Sequence, residues 1–264
     1  MTLKSALRVL QPSLNPVERS PGERWVSMSN ALIRAGHGLT LAEKRIVAMA
    51  IAKLDSRAKV PPESLTPRTK ITADEYARQF GLDSTTAYEQ LKNASEHLYK
   101  RSITFFEPAY RRSSSSKPVM NRMRWIGQVK YYDGEGWVEL HWWYPLLQHL
   151  LGLQRQFTSY QLQQGSALRS AYSWRLLELL TRFESTGWAE YTIEDFAASM
   201  DATEKQRGDF AAIRRKIIEP AVRELCEKNG WLIDWKPIKK GRKVAGLRFE
   251  FKRNPQQQLA LNPD

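Results

Sequence analysis

The spacing of hydrophobic residues changes near the C-terminal end of the chain. From residue 209, apolar side chains recur every three or four positions, which predicts a helix with one buried stripe. From Trp231 the spacing becomes two, over residues 231–236 and again over 247–252, which predicts two strands. The predicted stripe consists of Phe210, Ile213, Ile217, Ala221 and Leu225. This stretch therefore predicts a helix followed at once by a hairpin.

Pro220 falls inside the predicted helix. Its ring removes the backbone N–H that would bond to the carbonyl of Lys216, so we expect the helix to kink or restart there. The hairpin connection, PIKKGRK, places Gly241 among four cations. The pattern thus predicts an interrupted helix and a hairpin with a basic tip.

Other elements are predicted upstream. Threonines that can cap a helix occur at Thr40, Thr72 and Thr192, each with an acidic residue three positions later. The predicted elements are helices from 40, over 72–80, over 84–100, over 171–183 and over 192–200, and strands over 102–106, 123–132, 136–142 and one ending near Tyr191.

The two halves of the chain repeat one order of elements. Aligning Thr72 with Thr192 places ITADEYARQFGLD over YTIEDFAASMDAT, an offset of 120 residues. Helix, short helix, helix and hairpin follow in both halves, although two short capped helices could also match by chance. We predict an α+β protein of two tandem winged-helix domains related by internal duplication. The predicted parts are a flexible N-terminal arm over 1–24, domain 1 over 25–150, domain 2 over 151–253 and a disordered tail over 254–264.

Positive charge is concentrated in the second domain. Of a net charge of +13, residues 205–253 supply +9, from fifteen Lys and Arg against six Asp and Glu. A basic helix face alone is most often a solvated surface. A basic helix next to a basic hairpin tip favours a polyanion as partner instead.

Candidate DNA contacts follow from residue type. Arg207, Arg214 and Arg215 are predicted to read bases, because a guanidinium can bond both O6 and N7 of guanine. Lys216 is a candidate for a phosphate contact beside them. Four cations of the hairpin are predicted to contact phosphates without sequence preference: Lys239, Lys240, Arg242 and Lys243. Weaker candidates in domain 1 are Lys92, Lys100 and Arg101, and Trp142, Trp143, Trp174, Trp231 and Trp235 are expected in the core.

Nothing in the sequence indicates an enzyme, a metal site or a cofactor. The phosphate-binding pattern G-x-x-x-x-G-K-[ST] is missing, and His37, His97, His141 and His149 are too dispersed for metal ligation. One cysteine, Cys226, fits a reducing cytoplasm. No apolar run has the length of a membrane span, and the N-terminus lacks the features of a signal peptide. We therefore expect a cytoplasmic protein with no membrane partner.

Four segments match a known family: SNALIRAGHGLTLAEKRIVAMAIAKLD, FTSYQLQQGSALRSAYSWRLLELLTRF, IRRKIIEPAVREL and KKGRKVAGLRFEF. They resemble the iteron-binding plasmid replication initiators. They occur in the family's order, and the resemblance covers roughly residues 25–253. The N-terminal arm and the Ser-rich basic stretch at 111–117 lie outside what the resemblance carries over.

The resemblance implies two winged-helix domains. The second inserts its third helix into the major groove of a repeated origin sequence, the iteron. The first contacts the adjoining DNA and forms a dimer interface. In such a protein the monomer activates the origin, and the dimer binds an inverted operator repeat and represses its own promoter, which contributes to plasmid copy number control. Host initiator and replicative helicase are the implied protein partners.

A winged-helix transcriptional repressor without a replication role is the alternative. Composition does not separate the two, since an initiator can also repress. Tandem domains on one chain can cover two successive major-groove faces as a monomer, whereas a repressor with one such domain gains the second face by dimerising. The tandem domains and the family resemblance favour the initiator.

Overall fold

The computed structural model describes residues 24–107, 119–132 and 134–254. The predicted arm up to residue 23, the Ser-rich stretch at 111–117 and the predicted tail from residue 255 lie outside the described residues.

Short helices and strands alternate along the chain. The helices are α1 Asn30–Arg34, α2 Leu41–Ile51, α3 Ala73–Phe80, α4 Ser84–Lys100, α5 Leu162–Ser166, α6 Ala171–Thr181, α7 Ile193–Ser199, α8 Glu204–Arg207, α9 Phe210–Ile213 and α10 Glu219–Asn229. The strands are β1 Trp25–Ser29, β2 Arg68–Thr72, β3 Ser102–Glu107, β4 Val119–Arg124, β5 Ile126–Tyr132, β6 Trp137–Trp142, β7 Phe157–Gln161, β8 Trp188–Thr192, β9 Trp231–Lys240 and β10 Lys243–Arg253. Two 3₁₀ helices lie at Glu63–Leu65 and Tyr144–His149.

The predicted duplication is confirmed by the sheet topology. One three-stranded antiparallel sheet has the order β2-β6-β5, and the other has the order β8-β10-β9. In each sheet the strand that precedes the helices pairs with the last strand of the hairpin. Helix, strand, helices and hairpin therefore follow one plan in both halves, as a tandem winged-helix protein requires.

The corresponding threonines have the same role in the two halves. Thr72 and Thr192 each end a strand and cap the helix that follows. The Thr72 hydroxyl accepts a hydrogen bond from the Glu75 backbone N–H at 3.1 Å, and the Thr192 hydroxyl accepts one from Asp195 at 3.0 Å. Gly81 ends α3 in the left-handed conformation, at φ 61°. The capped helices predicted at these positions are confirmed.

A further sheet joins the two halves. Strand β1 pairs with β7, and its central pair is Ser27 opposite Ser159, whose hydroxyl oxygens are 2.7 Å apart. Each strand leads directly into a short helix, so this unit is also present once in each half. Neither of these two strands and neither of the short helices that follow them was predicted from the sequence. The predicted boundary between residues 150 and 151 stays a prediction.

Two equivalent helices form the centre of the molecule. Every side chain of α6 from Ser173 to Leu180 is buried, and so is every side chain of α2 from Glu43 to Ile51. A helix that is buried on all sides must pack against neighbours around its whole circumference. One continuous hydrophobic core accordingly extends through both halves.

The central helices also bury charge. Lys44 Nζ lies 2.7 Å from Glu178 Oε1, and the Tyr160 hydroxyl donates to the same carboxylate at 2.8 Å. Arg175 donates to Glu178 at 3.3 Å and to the carbonyls of Ile33 and Ala35 at 2.9 and 2.7 Å. Because residues 33–44 lie in the N-terminal half and Tyr160, Arg175 and Glu178 follow in the second, this buried cluster links the halves.

Two details differ from the sequence prediction. The single strand expected over 123–132 is divided at Trp125, which is fully buried; β4 pairs with β3, whereas β5 pairs with β6. Trp143 is 39% exposed, so its prediction as a core residue was wrong. It directly follows β6, whose last residue Trp142 faces the core, and because its backbone is still extended its side chain points to the opposite side. Trp142, Trp174 and Trp231 are buried as predicted, and Trp235 is half-buried.

Candidate DNA interface

The helix predicted from residue 209 is interrupted at its basic segment. Asp209 caps α9, which gives way to a π turn over Arg214–Ile218 before α10 begins at Glu219. Pro220, at the start of α10, cannot supply the hydrogen bond that would continue a regular helix. The break predicted from Pro220 is confirmed, and it takes the form of one widened turn with i→i+5 bonding.

This segment separates apolar from basic residues. Ile213, Ile217, Ala221 and Leu225 are fully buried, which fixes the helix on the core. Arg214, Arg215 and Lys216 are exposed. The structure therefore places three consecutive cations on the outer side of a firmly packed helix.

Each arginine near this face has a defined hydrogen-bond partner. Arg214 Nε donates to Glu219 Oε1 at 2.7 Å, whereas Arg215 Nε donates to the Ala211 carbonyl at 3.4 Å. Arg207 ends the short helix α8 and donates from Nε to the Ala202 carbonyl at 2.8 Å. Helix α8 was not predicted from the sequence, although its capping pair Thr203 and Gln206 is visible there.

The hairpin of β9 and β10 forms a long basic wing. Its strands pair as far as Lys240 opposite Lys243, and Gly241 makes the turn at φ 64°. Lys239, Lys240, Arg242 and Lys243 are all exposed. None of the four forms an ion pair with any residue that the structure describes, so their charges are uncompensated.

Charge at the base of the wing is largely neutralised. Arg248 lies 2.8 Å from both Glu190 and Glu250, and Arg253 lies 2.7 Å from Glu184. The hydrogen bonds to Glu190 and Glu250 raise the pKa of Arg248. The cations of the wing therefore differ in the structure, although they look alike in the sequence. Arg248 and Arg253 at the base form ion pairs, whereas the four cations at the tip form none with the described residues.

The weaker candidates in the first domain have other contacts. Arg101 Nε lies 3.0 Å from the buried carboxylate of Glu43, and the Lys92 ammonium lies 5.4 Å from the centre of the Tyr131 ring. Lys100 is exposed. Helix α4, the counterpart of the basic helix, contains two Lys and two Glu. Its charge is balanced, in contrast to the basic segment of the second half.

No group of three or more His, Cys, Asp or Glu residues is arranged to hold a metal ion within the described ranges. In the same ranges, none of the helices combines the length and the apolar character that crossing a membrane requires.

Two family models match this chain. Residues 25–181 match the model described as initiator replication protein, WH1, and residues 192–251 match initiator Rep protein, WH2. The first match alone covers more than half of the chain.

Two relatives are informative. An uncharacterised 27.6 kDa protein of Escherichia coli is 24% identical over 210 residues, which cover 77% of this chain and 85% of that protein. The crystal structure of the Pi initiator protein in complex with iteron DNA matches with a TM-score of 0.70 and 22% identity, over 89% of this chain and 99% of that one. The structural match and the two family models support the tandem winged-helix fold.

Proposed function

The chain belongs to the initiator replication protein family, and from this premise we propose that it binds double-stranded DNA at the repeated sequences of a plasmid origin, the iterons. The proposal contains no catalytic step, metal or cofactor. A protein of this function acts where the plasmid is, so the proposed location is the bacterial cytoplasm.

The observation that carries the proposal is the distribution of unpaired cations. Arg215 and Lys216 on the helix, and four cations at the tip of the wing, have no acidic partner among the residues described. Lys and Arg that neutralise phosphates release counterions, which supplies most of the sequence-independent affinity. Unpaired positive charge on a helix and on the hairpin that follows it suits double-stranded DNA, which has a groove for the helix and a negatively charged backbone.

We assign different roles to the helix and the wing. Arg207, Arg214 and Arg215 would contact base edges in the major groove, with Lys216 on an adjacent phosphate. The wing would hold phosphates through Lys239, Lys240, Arg242 and Lys243. The Pi initiator has been crystallised in complex with iteron DNA, and we propose the same kind of DNA binding for the present chain.

Oligomeric state would select the DNA target. In the proposed scheme the monomer binds direct repeats and activates the origin, while a dimer formed through the first domain binds an inverted repeat and represses the promoter of its own gene. Host initiator and replicative helicase would be recruited by the monomer.

A footprint tests the proposal directly. Purified protein would be bound to the DNA that flanks its coding sequence, and its oligomeric state would be recorded by analytical ultracentrifugation at the same concentration. We expect monomers to protect tandem direct repeats of about 20 bp, roughly two turns of duplex. Protection of an inverted repeat alone, and only by dimers, would instead leave a winged-helix repressor without a replication role.

A further inference from the structure

Two hydrogen bonds connect Arg214 and Glu219 across the π turn, one from the backbone and one from a side chain. The backbone N–H of Glu219 donates to the carbonyl oxygen of Arg214, and the Arg214 Nε donates to Glu219 Oε1 at 2.7 Å. In a regular α-helix, residues five apart are separated by about 140° around the axis, so their side chains point away from each other. The widened turn is therefore what brings these two side chains together.

The contact leaves the outer part of the arginine available. Arg214 uses Nε for Glu219, and no hydrogen bond from its terminal nitrogens to another described residue is present. Its side chain remains 57% exposed. The two terminal nitrogens are the pair that a guanidinium extends toward the O6 and N7 atoms of a guanine.

We propose that Glu219 is a positioning residue for DNA specificity, which orients the guanidinium of Arg214 toward a base; this inference rests on the proposed function. Long flexible side chains lose rotamer freedom when they bind, and a side chain that is already held loses less. An exposed ion pair is weak, so Glu219 contributes little to the stability of the fold, and its main effect is on the orientation of the Arg214 guanidinium.

The carboxylate also acts against non-specific binding. DNA phosphates that approach the helix out of register meet a negative charge at Glu219, which raises the free energy of such complexes. In the specific register the contact between Arg214 and a guanine offsets that repulsion. Arg215 donates to a backbone carbonyl and not to a carboxylate, so among the described residues it has no carboxylate partner that repels phosphates. Glu219 should thus strengthen cognate binding and weaken non-cognate binding at once.

The test is a comparison of Glu219→Gln with Glu184→Gln. Both substitutions remove one negative charge and break an arginine–carboxylate pair of 2.7 Å, but Glu184 contacts Arg253 at the base of the wing. Affinity would be measured on the direct repeat, on the repeat with 7-deazaguanine at each guanine in turn, and on a scrambled duplex. The same salt concentration is kept throughout.

For Glu219→Gln we expect weaker binding to the repeat and tighter binding to the scrambled duplex, so that their affinity ratio falls about three- to fivefold. The loss caused by the 7-deazaguanine that Arg214 contacts should shrink. In Glu184→Gln the ratio should stay within about twofold of wild type. In an Arg214→Ala background, Glu219→Gln should change the ratio little, because the two residues act as one unit.

Pro220→Ala separates positioning from charge. It allows the regular helical hydrogen bond, which closes the π turn and moves Arg214 away from Glu219 with both charges kept. A fall in the affinity ratio of this folded variant is expected.

If wild-type protein binds repeat and scrambled DNA equally, the proposed function itself fails. If wild type prefers the repeat but Glu219→Gln and Pro220→Ala keep its ratio and its 7-deazaguanine sensitivity, only the inference about Glu219 is overturned.

Discussion

At the residue scale, the positive charges of the wing differ in whether they form ion pairs with acidic side chains. Arg248 and Arg253 resemble the wing cations in the sequence, yet acidic neighbours engage both of them. Only Glu250 is local, two positions from Arg248 on the same strand; the partners Glu190 and Glu184 lie 58 and 69 positions away from Arg248 and Arg253, where no local pattern reveals them. Candidate residues could therefore be selected by type from the sequence, but their pairing required the fold.

His37 gives the stability of the molecule a dependence on pH. Its ring is fully buried beside Arg175, and its Nε2 lies 2.7 Å from the carbonyl oxygen of Leu32. Burial lowers the pKa of His37 well below its ordinary value, and the charges of Arg175 and Lys44 lower it further. The folded protein therefore holds a neutral imidazole.

We expect the free energy of unfolding to fall as the pH drops below about 6.5, where His37 of the unfolded chain gains a proton that the folded chain does not bind. The contribution is at most about 1.4 kcal/mol per pH unit, until the folded pKa is reached. Urea unfolding between pH 7.5 and 5 measures it. His37→Gln should flatten the curve, whereas His97→Gln, at an exposed position, should not. Parallel curves for wild type and His37→Gln would contradict this explanation.

At the scale of elements, capping and periodicity were strong guides. Thr40, Thr72 and Thr192 all cap helices, and the change of period after the basic helix marks the beginning of the wing. Strand β1 was missed because it is only five residues long, so the apolar and polar alternation of Val26, Ser27, Met28 and Ser29 is too short to stand out. Its partner β7 lies about half the chain away, and no local signal predicts such a pairing.

The contribution of the wing to DNA affinity can be measured from the dependence of that affinity on salt concentration. Lys239→Ala removes one unpaired cation near the tip, and each phosphate contact contributes about 0.9 to the slope of log affinity against log salt concentration. We expect the slope on any duplex to become shallower by about one. Lys252→Ala is a suitable control because this exposed lysine lies at the base of the wing. Equal changes for both variants would mean that general charge, not the tip, determines affinity.

At the scale of the whole molecule, duplication explains the architecture and the buried cluster explains how the halves are joined. The repeat could be found in the sequence because the capping threonines and the order of elements are visible there. The cluster of Lys44, Arg175 and Glu178 could not, since charged residues in a helical pattern ordinarily predict an exposed face. The second buried helix, α6, was correctly placed, but its two charges gave no sign of burial.

Glu178→Ala tests this connection between the halves. Removing the carboxylate leaves Lys44 buried without its counter-charge and leaves Arg175 with only Asp201, at 4.0 Å; losing one partner of a buried pair costs about 3–5 kcal/mol. Denaturant unfolding should show that loss. Glu194→Ala, at an exposed position without an ion pair among the described residues, should stay within about 0.5 kcal/mol. Similar stabilities for the two variants would show that the cluster does not hold the halves together.

The central claim is that the basic helix reads sequence while the wing supplies affinity. The most direct test measures the binding of Arg215→Ala and Lys239→Ala to a direct repeat and to a scrambled duplex in one buffer. Arg215→Ala should lower affinity for the repeat far more than for the scrambled duplex, by about 1–3 kcal/mol if it contacts a guanine. Lys239→Ala should weaken both duplexes by the same factor. If both substitutions changed the two affinities in the same proportion, the helix would not be the element that reads the DNA.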